Sequence, residues 1–296
     1  MTAPSSRGRA IAALLFGALA IAFAPIFVRL TGTGPAAAGF WRLGLAFPAL
    51  TVIAWMGRRT GASKGPQPLN LLAGLLFALD LGFWHYGVKF TTVANATILA
   101  NLSPVFVVAA AWLVLRERPG KGFLAGLALA LAGCWAIAAA KVGASGLNPR
   151  LGDILSIITA GWYAGYLLCV RRQRARQSAP EVMFWSTLVG APAILIAALL
   201  LHERVIPPTL GGWAACIGLG AVHVTGQGCI AWALGRLPTA TASVVVLVQP
   251  VLTAILAWWI FAEAMAPLQI LGGAAALTGV VIAQFAAARA PEAAAA

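Results

Sequence analysis

Charge is what this chain has least of. Only 9% of its 296 residues are Asp, Glu, Lys or Arg and only 7 are acidic, against about 25% charged residues in an ordinary soluble domain. With 61% of residues apolar, a water-soluble globular fold is excluded. Cysteine is also sparse: Cys134, Cys169, Cys216 and Cys229 fall inside apolar runs without metal-ligand spacing and read as small core residues. No P-loop motif is present, so ATP is not the direct energy source. An intramembrane enzyme acting on lipid would need an acid cluster, an H-E-x-x-H pair or an activated nucleophile, and none occurs, so the chain is read as a non-enzyme. No cofactor and no metal is expected.

What the chain has instead is long uncharged runs. Residues 10–28, 122–140, 154–170, 182–201, 205–235, 237–262 and 264–288 contain no Asp, Glu, Lys or Arg. Residues 35–56, 69–88 and 93–115 contain at most one each. A helix needs about 20 residues to cross hydrocarbon, so these runs make ten candidate spans and leave no room for a soluble domain. Arg7 and Arg9 before the first run have the look of a signal peptide, but the run outlasts the usual 7–15-residue apolar core and reads as a first span. With both termini on one side, 14 of the 20 basic residues fall on that face, Arg171, Arg172, Arg174 and Arg176 among them, and Arg42 is counted with the other face. The positive-inside rule makes the rich face, and with it both termini, cytoplasmic in a multi-pass membrane protein. The net charge of +13 then reports orientation in the bilayer and not a nucleic-acid partner.

The chain also repeats itself. A shift of 146 residues superposes Tyr86 on Trp232, Pro104 on Pro250, Trp112 on Trp258, Glu117 on Glu263, Gly126 on Gly272 and Gly133 on Gly279. Further upstream, a shift of 144 superposes Phe40 on Phe184, Trp41 on Trp185 and Pro48 on Pro192. The expected fold is an all-α membrane protein of ten transmembrane helices in two five-helix repeats, residues 1–143 and 144–296. Five is odd, so the second repeat inserts upside down. The charges agree: Arg116, Arg118 and Lys121 become Ala262, Ala264 and Pro267 in the matching loop, while Glu117 survives as Glu263. Inverted repeats are an architecture of secondary transporters, with the substrate site at the repeat interface.

Phe40-Trp41-Arg42 opening the second span, Ser103-Pro104 with Glu117, and Gln249-Pro250 with Glu263 resemble the drug/metabolite transporter superfamily, EamA type, over essentially the whole chain. Within it the likeness is to bacterial inner-membrane amino-acid exporters, including the aromatic amino-acid exporter group. The resemblance implies a central cavity lined mainly by spans three, four, eight and nine, supported by one and six, and opening alternately to the two sides. Arg42 departs from the repeat, since Ser186 is its counterpart, and is given no symmetric role.

Polar groups inside hydrocarbon are costly and usually face a cavity or another helix, so they nominate the site. Asp80 is the one acid far from any span end; it either serves the substrate or a proton, or is a structural carboxylate bonded to a neighbouring helix. Trp84 shares its helical face. His223 and Gln227 stand four apart on span eight, and the 146 shift sets Phe77 and Leu81 opposite them, so Asp80 is expected to approach that pair across the repeat axis. His85, Tyr86, Asn95, Asn101, Tyr163 and Gln249 complete the cavity candidates. For Trp41, Trp84, Trp162 and Trp185, cavity wall and plain packing both stand. Pro104 and Pro250 remove mid-span backbone bonds at paired positions, as hinges or as static kinks.

The resemblance implies export of amino acids, aromatic or otherwise apolar, and related small metabolites by alternating access, and the mostly apolar cavity candidates suit a zwitterion with an apolar side chain. The partners are a small-molecule substrate and the lipid bilayer, with the protein a monomer or a homodimer. Other metabolites or drugs are the alternative; a passive channel fits the paired prolines less well. With no basic residue assigned to mid-membrane, phosphorylated substrates are disfavoured. Asp80 and His223 permit proton coupling, and facilitated diffusion stands equally.

Overall fold

The computed structural model describes residues 4–58, 65–91, 93–115, 119–139, 147–261 and 266–289. Glu117, Glu263, Arg116, Arg118, Ala262 and Ala264, used above for the loop comparison, lie outside them. Among the described residues all regular structure is helical. The first half contains α1 (Pro4–Ala22), α2 (Ala24–Leu30), α3 (Pro35–Arg58), α4 (Pro68–Phe90), α5 (Val93–Ala100), α6 (Ser103–Leu115) and α7 (Lys121–Ala139). The second contains α8 (Pro149–Gln173), α9 (Ala179–Leu200), α10 (Leu210–Val222), a π turn at His223–Gln227, α11 (Gly228–Leu234), α12 (Thr239–Val246), α13 (Val248–Phe261) and α14 (Pro267–Arg289).

Eight helical segments are long and apolar enough to cross a membrane, counting α1–α2, α10–α11 and α12–α13 as joined pairs. Two more, Ala96–Ala110 and Lys121–Ala136, are apolar but shorter. Leu113 and Trp259 are each 75% exposed, which in water would invite aggregation and in hydrocarbon costs nothing. The four cysteines remain free thiols.

Proline explains two of the interruptions. A proline ring obstructs the carbonyl four residues before it and donates no hydrogen bond. Four residues before Pro104 is Ala100, where α5 ends; four before Pro250 is Val246, where α12 ends. The chain is relayed by short-range bonds, Leu102 N–H to Leu99 C=O and Leu247 N–H to Val244 C=O, both 3.1 Å. Pro48 and Pro192, also repeat-mates, leave α3 and α9 continuous.

Small residues set the helix packing. A Cβ added to Gly126 of α7 would lie 2.7 Å from the Gly279 carbonyl oxygen of α14, and one added to Gly279 would lie 2.6 Å from that of Gly126. Gly133 faces Gly272 in the same way. Rising number in α7 meets falling number in α14, so the two helices run antiparallel. The 146 shift exchanges the two contacts, carrying Gly126–Gly279 onto Gly272–Gly133. A second close approach is also built twice. Gly74 of α4 would place a Cβ 2.7 Å from Val189 Cβ of α9, and its mate Gly220 of α10 would place one 2.9 Å from Leu45 Cβ of α3. Such contacts suit a medium where close packing, not water release, holds helices together.

Gly126→Leu is expected to lower detergent thermal stability by about 1–3 kcal/mol through overpacking. Gly161→Ala, whose new methyl meets nothing within 4 Å, should hold or raise it; equal losses in both would show that the α7–α14 contact is not what Gly126 supplies.

Candidate functional site

The interrupted helices surround one polar cavity of about 50 Å³. α4 contributes Asp80, Leu81 and Trp84, and the break between α5 and α6 contributes Asn101. Tyr163 and Thr159 come from α8, Gln227 from the π turn, Gln249 from α13 and Ile21 from α1. All six spans that the family resemblance implied are represented. Six of the sequence-nominated residues therefore meet: Asp80, Trp84, Asn101, Tyr163, Gln227 and Gln249. Pro104 and Pro250 lie beyond the lining, directly after the breaks that shape it.

The other nominees are placed elsewhere. His85 lies outside the lining, its Nδ1 2.8 Å from the Pro35 carbonyl at the start of α3. The Tyr86 hydroxyl donates to Glu203. The Asn95 side chain lies outside the described residues. His223 packs on Phe77 with ring centroids 5.3 Å apart and pairs through Nε2 with the Thr187 hydroxyl at 3.0 Å. The expected approach of Asp80 to the His223/Gln227 pair is thus half made, through Gln227 alone. The π turn supplies the reason. Its hydrogen bonds reach five residues back instead of four, so residues four apart no longer stack as on an α-helix. Of the four tryptophans considered as walls, only Trp84 is in the lining; Trp41 donates from Nε1 to the Val205 carbonyl at 2.7 Å and packs on Trp213.

Arg42 is the residue that sequence reasoning misplaced. Charge counting set it with an outer loop, yet it stands inside α3, 2% exposed, in the same cavity as Asp80. The cavity therefore has a fixed cation, and the expectation of no mid-membrane basic residue is corrected. The signal was available: Arg42 is the one charged residue in the 35–56 run, and an ionisable group inside a span is a site candidate by default. Its repeat partner Ser186 only bonds back to its own helix, at the Val182 and Met183 carbonyls.

Polar contacts tie helices together at both ends of the described bundle. At one end the chain turns at His202 (φ 51°) and aims Glu203 at the start of α3. There the Glu203 carboxylate accepts the Ala36 and Ala37 N–H groups at 3.2 and 2.8 Å, as an acid at a helix N-terminus should. Gly34 makes room for it, since a Cβ there would collide with the Glu203 side chain. At the other end Asn70 donates to Gln173 and Gln177 at 3.0 and 3.1 Å, tying α4 to the end of α8 and the loop after it. Three arginines there cap the last carbonyls of α11: Arg171 on Leu234, Arg174 on Ala231 and Arg236 on Trp232, all between 2.8 and 3.0 Å. Burial, then the charges of Arg236 and Arg171, lower the Arg174 guanidinium below its ordinary value. A space of 50 Å³ holds a few waters, well short of the roughly 300 Å³ at which small-molecule sites begin.

Comparison with known proteins agrees with this architecture. A pseudopaline exporter, CntI, of Pseudomonas aeruginosa is 27% identical over 222 residues, 73% of this chain and 75% of that protein. A probable terminal-alkyne amino-acid exporter of Streptantibioticus cattleyicolor is 25% identical over 267 residues, 89% of this chain and 88% of that protein. A protein of known crystal structure superposes with a TM-score of 0.78 at 20% identity, covering 95% of this chain and 98% of its own, which shows a shared fold. The model of the EamA-like transporter family matches twice, at residues 8–139 and 150–285, and together these matches span most of the sequence. The chain therefore belongs to the EamA-like transporter family, and is a multi-pass membrane transporter.

Proposed function

We propose that this transporter is an inner-membrane secondary exporter of amino acids, aromatic or otherwise apolar, and of related small metabolites. It works by alternating access through ten spans arranged as two inverted repeats, residues 1–143 and 144–296, with both termini cytoplasmic. The observation that carries this reading is the cavity itself. It lies at the breaks of two repeat-related helices, and it joins charges of both signs to the apolar walls of Ile21, Leu81 and Trp84. A molecule with a zwitterionic head and an apolar side chain matches that lining. The antiparallel run of α7 and α14, equivalent helices of the two repeats, supports inversion. The name of the Streptantibioticus relative lends support to the amino-acid class.

Pro104 and Pro250 act as hinges in this scheme. Their missing backbone bonds let each half-helix pivot at the cavity. Glu203 is the latch on the outer side, the Asn70–Gln173–Gln177 cluster the latch on the inner side. Each must open in turn, because 50 Å³ is too little for the substrate.

Purified protein in liposomes should move phenylalanine and leucine, and comparison with and without a pH gradient separates proton coupling from facilitated diffusion. Flux of no amino acid under either condition would overturn the reading. The Pro104→Ala/Pro250→Ala double variant should insert normally and transport more slowly; unchanged flux would sink the hinge. Glu203→Ala removes two charge-assisted bonds to α3, so a cysteine placed at Leu81, in a protein stripped of its native cysteines, should react on the order of tenfold faster with an impermeant thiol reagent added outside. No change in that rate would show that Glu203 is not the outer latch.

A further inference from the structure

Arg42 and Asp80 are buried, oppositely charged residue types lining one cavity, and among the described residues no direct ion pair joins them. Among the described residues no hydrogen bond or salt bridge engages either charged group. The Arg42 Nε is buried without a partner, and the guanidinium stands 5.8 Å from the Phe77 ring centroid. The Asp80 backbone carbonyl, not its carboxylate, accepts a hydrogen bond from the Thr159 hydroxyl at 3.4 Å. An acid and a base held in a low-dielectric site without a direct pair are expensive to keep.

The repeat shows that the fold does not demand them. The counterpart of Arg42 is Ser186 and that of Asp80 is Gly226, whereas the prolines and close-packing glycines recur in both halves. Architecture is duplicated here; these two charges are not.

We propose that Arg42 and Asp80 form a clamp for the head group of a free zwitterion. The Arg42 guanidinium takes the α-carboxylate and the Asp80 carboxylate takes the α-ammonium, while the side chain lies along Trp84 and Leu81. This rests on the amino-acid reading and specifies which part of the molecule is recognised. A zwitterion pairs both protein charges and adds no net charge to the cavity. A simple amine would leave Arg42 unpaired and repel it; a simple carboxylate would do the same to Asp80.

The test is counterflow by the full-length protein in liposomes, with labelled phenylalanine and three competitors that share its ring: phenylalanine, phenethylamine, which lacks the carboxylate, and 3-phenylpropionate, which lacks the ammonium. Leucine, isopentylamine and 4-methylpentanoate form a second set. Each one-charge analogue should compete on the order of tenfold or more weakly than the amino acid. Asp80→Asn should narrow that gap for the carboxylate analogue, and Arg42→Gln should narrow it for the amine. Arg42→Lys and Asp80→Glu, which keep the charges, should retain discrimination. Equal competition by analogues in the wild-type protein overturns the clamp while leaving amino-acid export intact, and this comparison needs no variant to fold. Uniform weakening toward all three competitors in both neutral variants also overturns it. Absence of any amino-acid flux in the wild type overturns the export reading, and the clamp with it.

Discussion

Backbone amides and carbonyls in hydrocarbon have no water to pair with, so every break in a membrane helix must find protein or a polar cavity beside it. The architecture of this transporter follows from that constraint. The breaks at Asn101–Leu102 and at Leu247 and the π turn at His223–Gln227 lie beside a single polar space. At these three places irregular backbone lies where polar side chains from other helices gather. The same breaks deliver Asn101, Gln227 and Gln249 to the cavity, so relief of strain and construction of the site are one event.

Helix ends on the two sides of the bundle are capped by a related electrostatic rule with opposite signs. An acid, Glu203, caps the N-terminus of α3, and three arginines cap the C-terminal carbonyls of α11. Both caps satisfy helix-end groups that would otherwise be unpaired. Under the transport cycle proposed, each cap is a bond set that can be broken and replaced by water when its side opens, which makes such contacts suitable latches. The glycine-lined α7–α14 pair packs backbone to backbone and offers no comparable polar contact for water to replace.

Much of this was legible in the sequence because hydrocarbon simplifies the code. Uncharged runs mark the helices, and the breaks fall at the carbonyls that Pro104 and Pro250 obstruct. The glycines at 126, 133, 272 and 279 are where their repeat pairing places them, at one helix contact. The site was legible in part. Asp80, Trp84, Asn101, Tyr163, Gln227 and Gln249 converge, whereas His85, Tyr86 and His223 turn to Pro35, Glu203 and Thr187. Rotation about a helix axis decides such outcomes. A π turn, invisible in composition, rotated His223 away while Gln227 stayed. Arg42 was missed because counting charges by side of the membrane treats every arginine as a loop residue, and this one sits within a helix.

Residue order alone therefore determined what depends on local chemistry: membrane insertion from apolar run length, helix breaks from proline, and repetition from the recurrence of small and aromatic residues. Tertiary structure decided which polar side chains meet, because that depends on helix rotation and on partners more than a hundred residues away. It brought Arg42 to the same cavity as Asp80, from different helices and without a direct pair, and so joined two costly charges into one site.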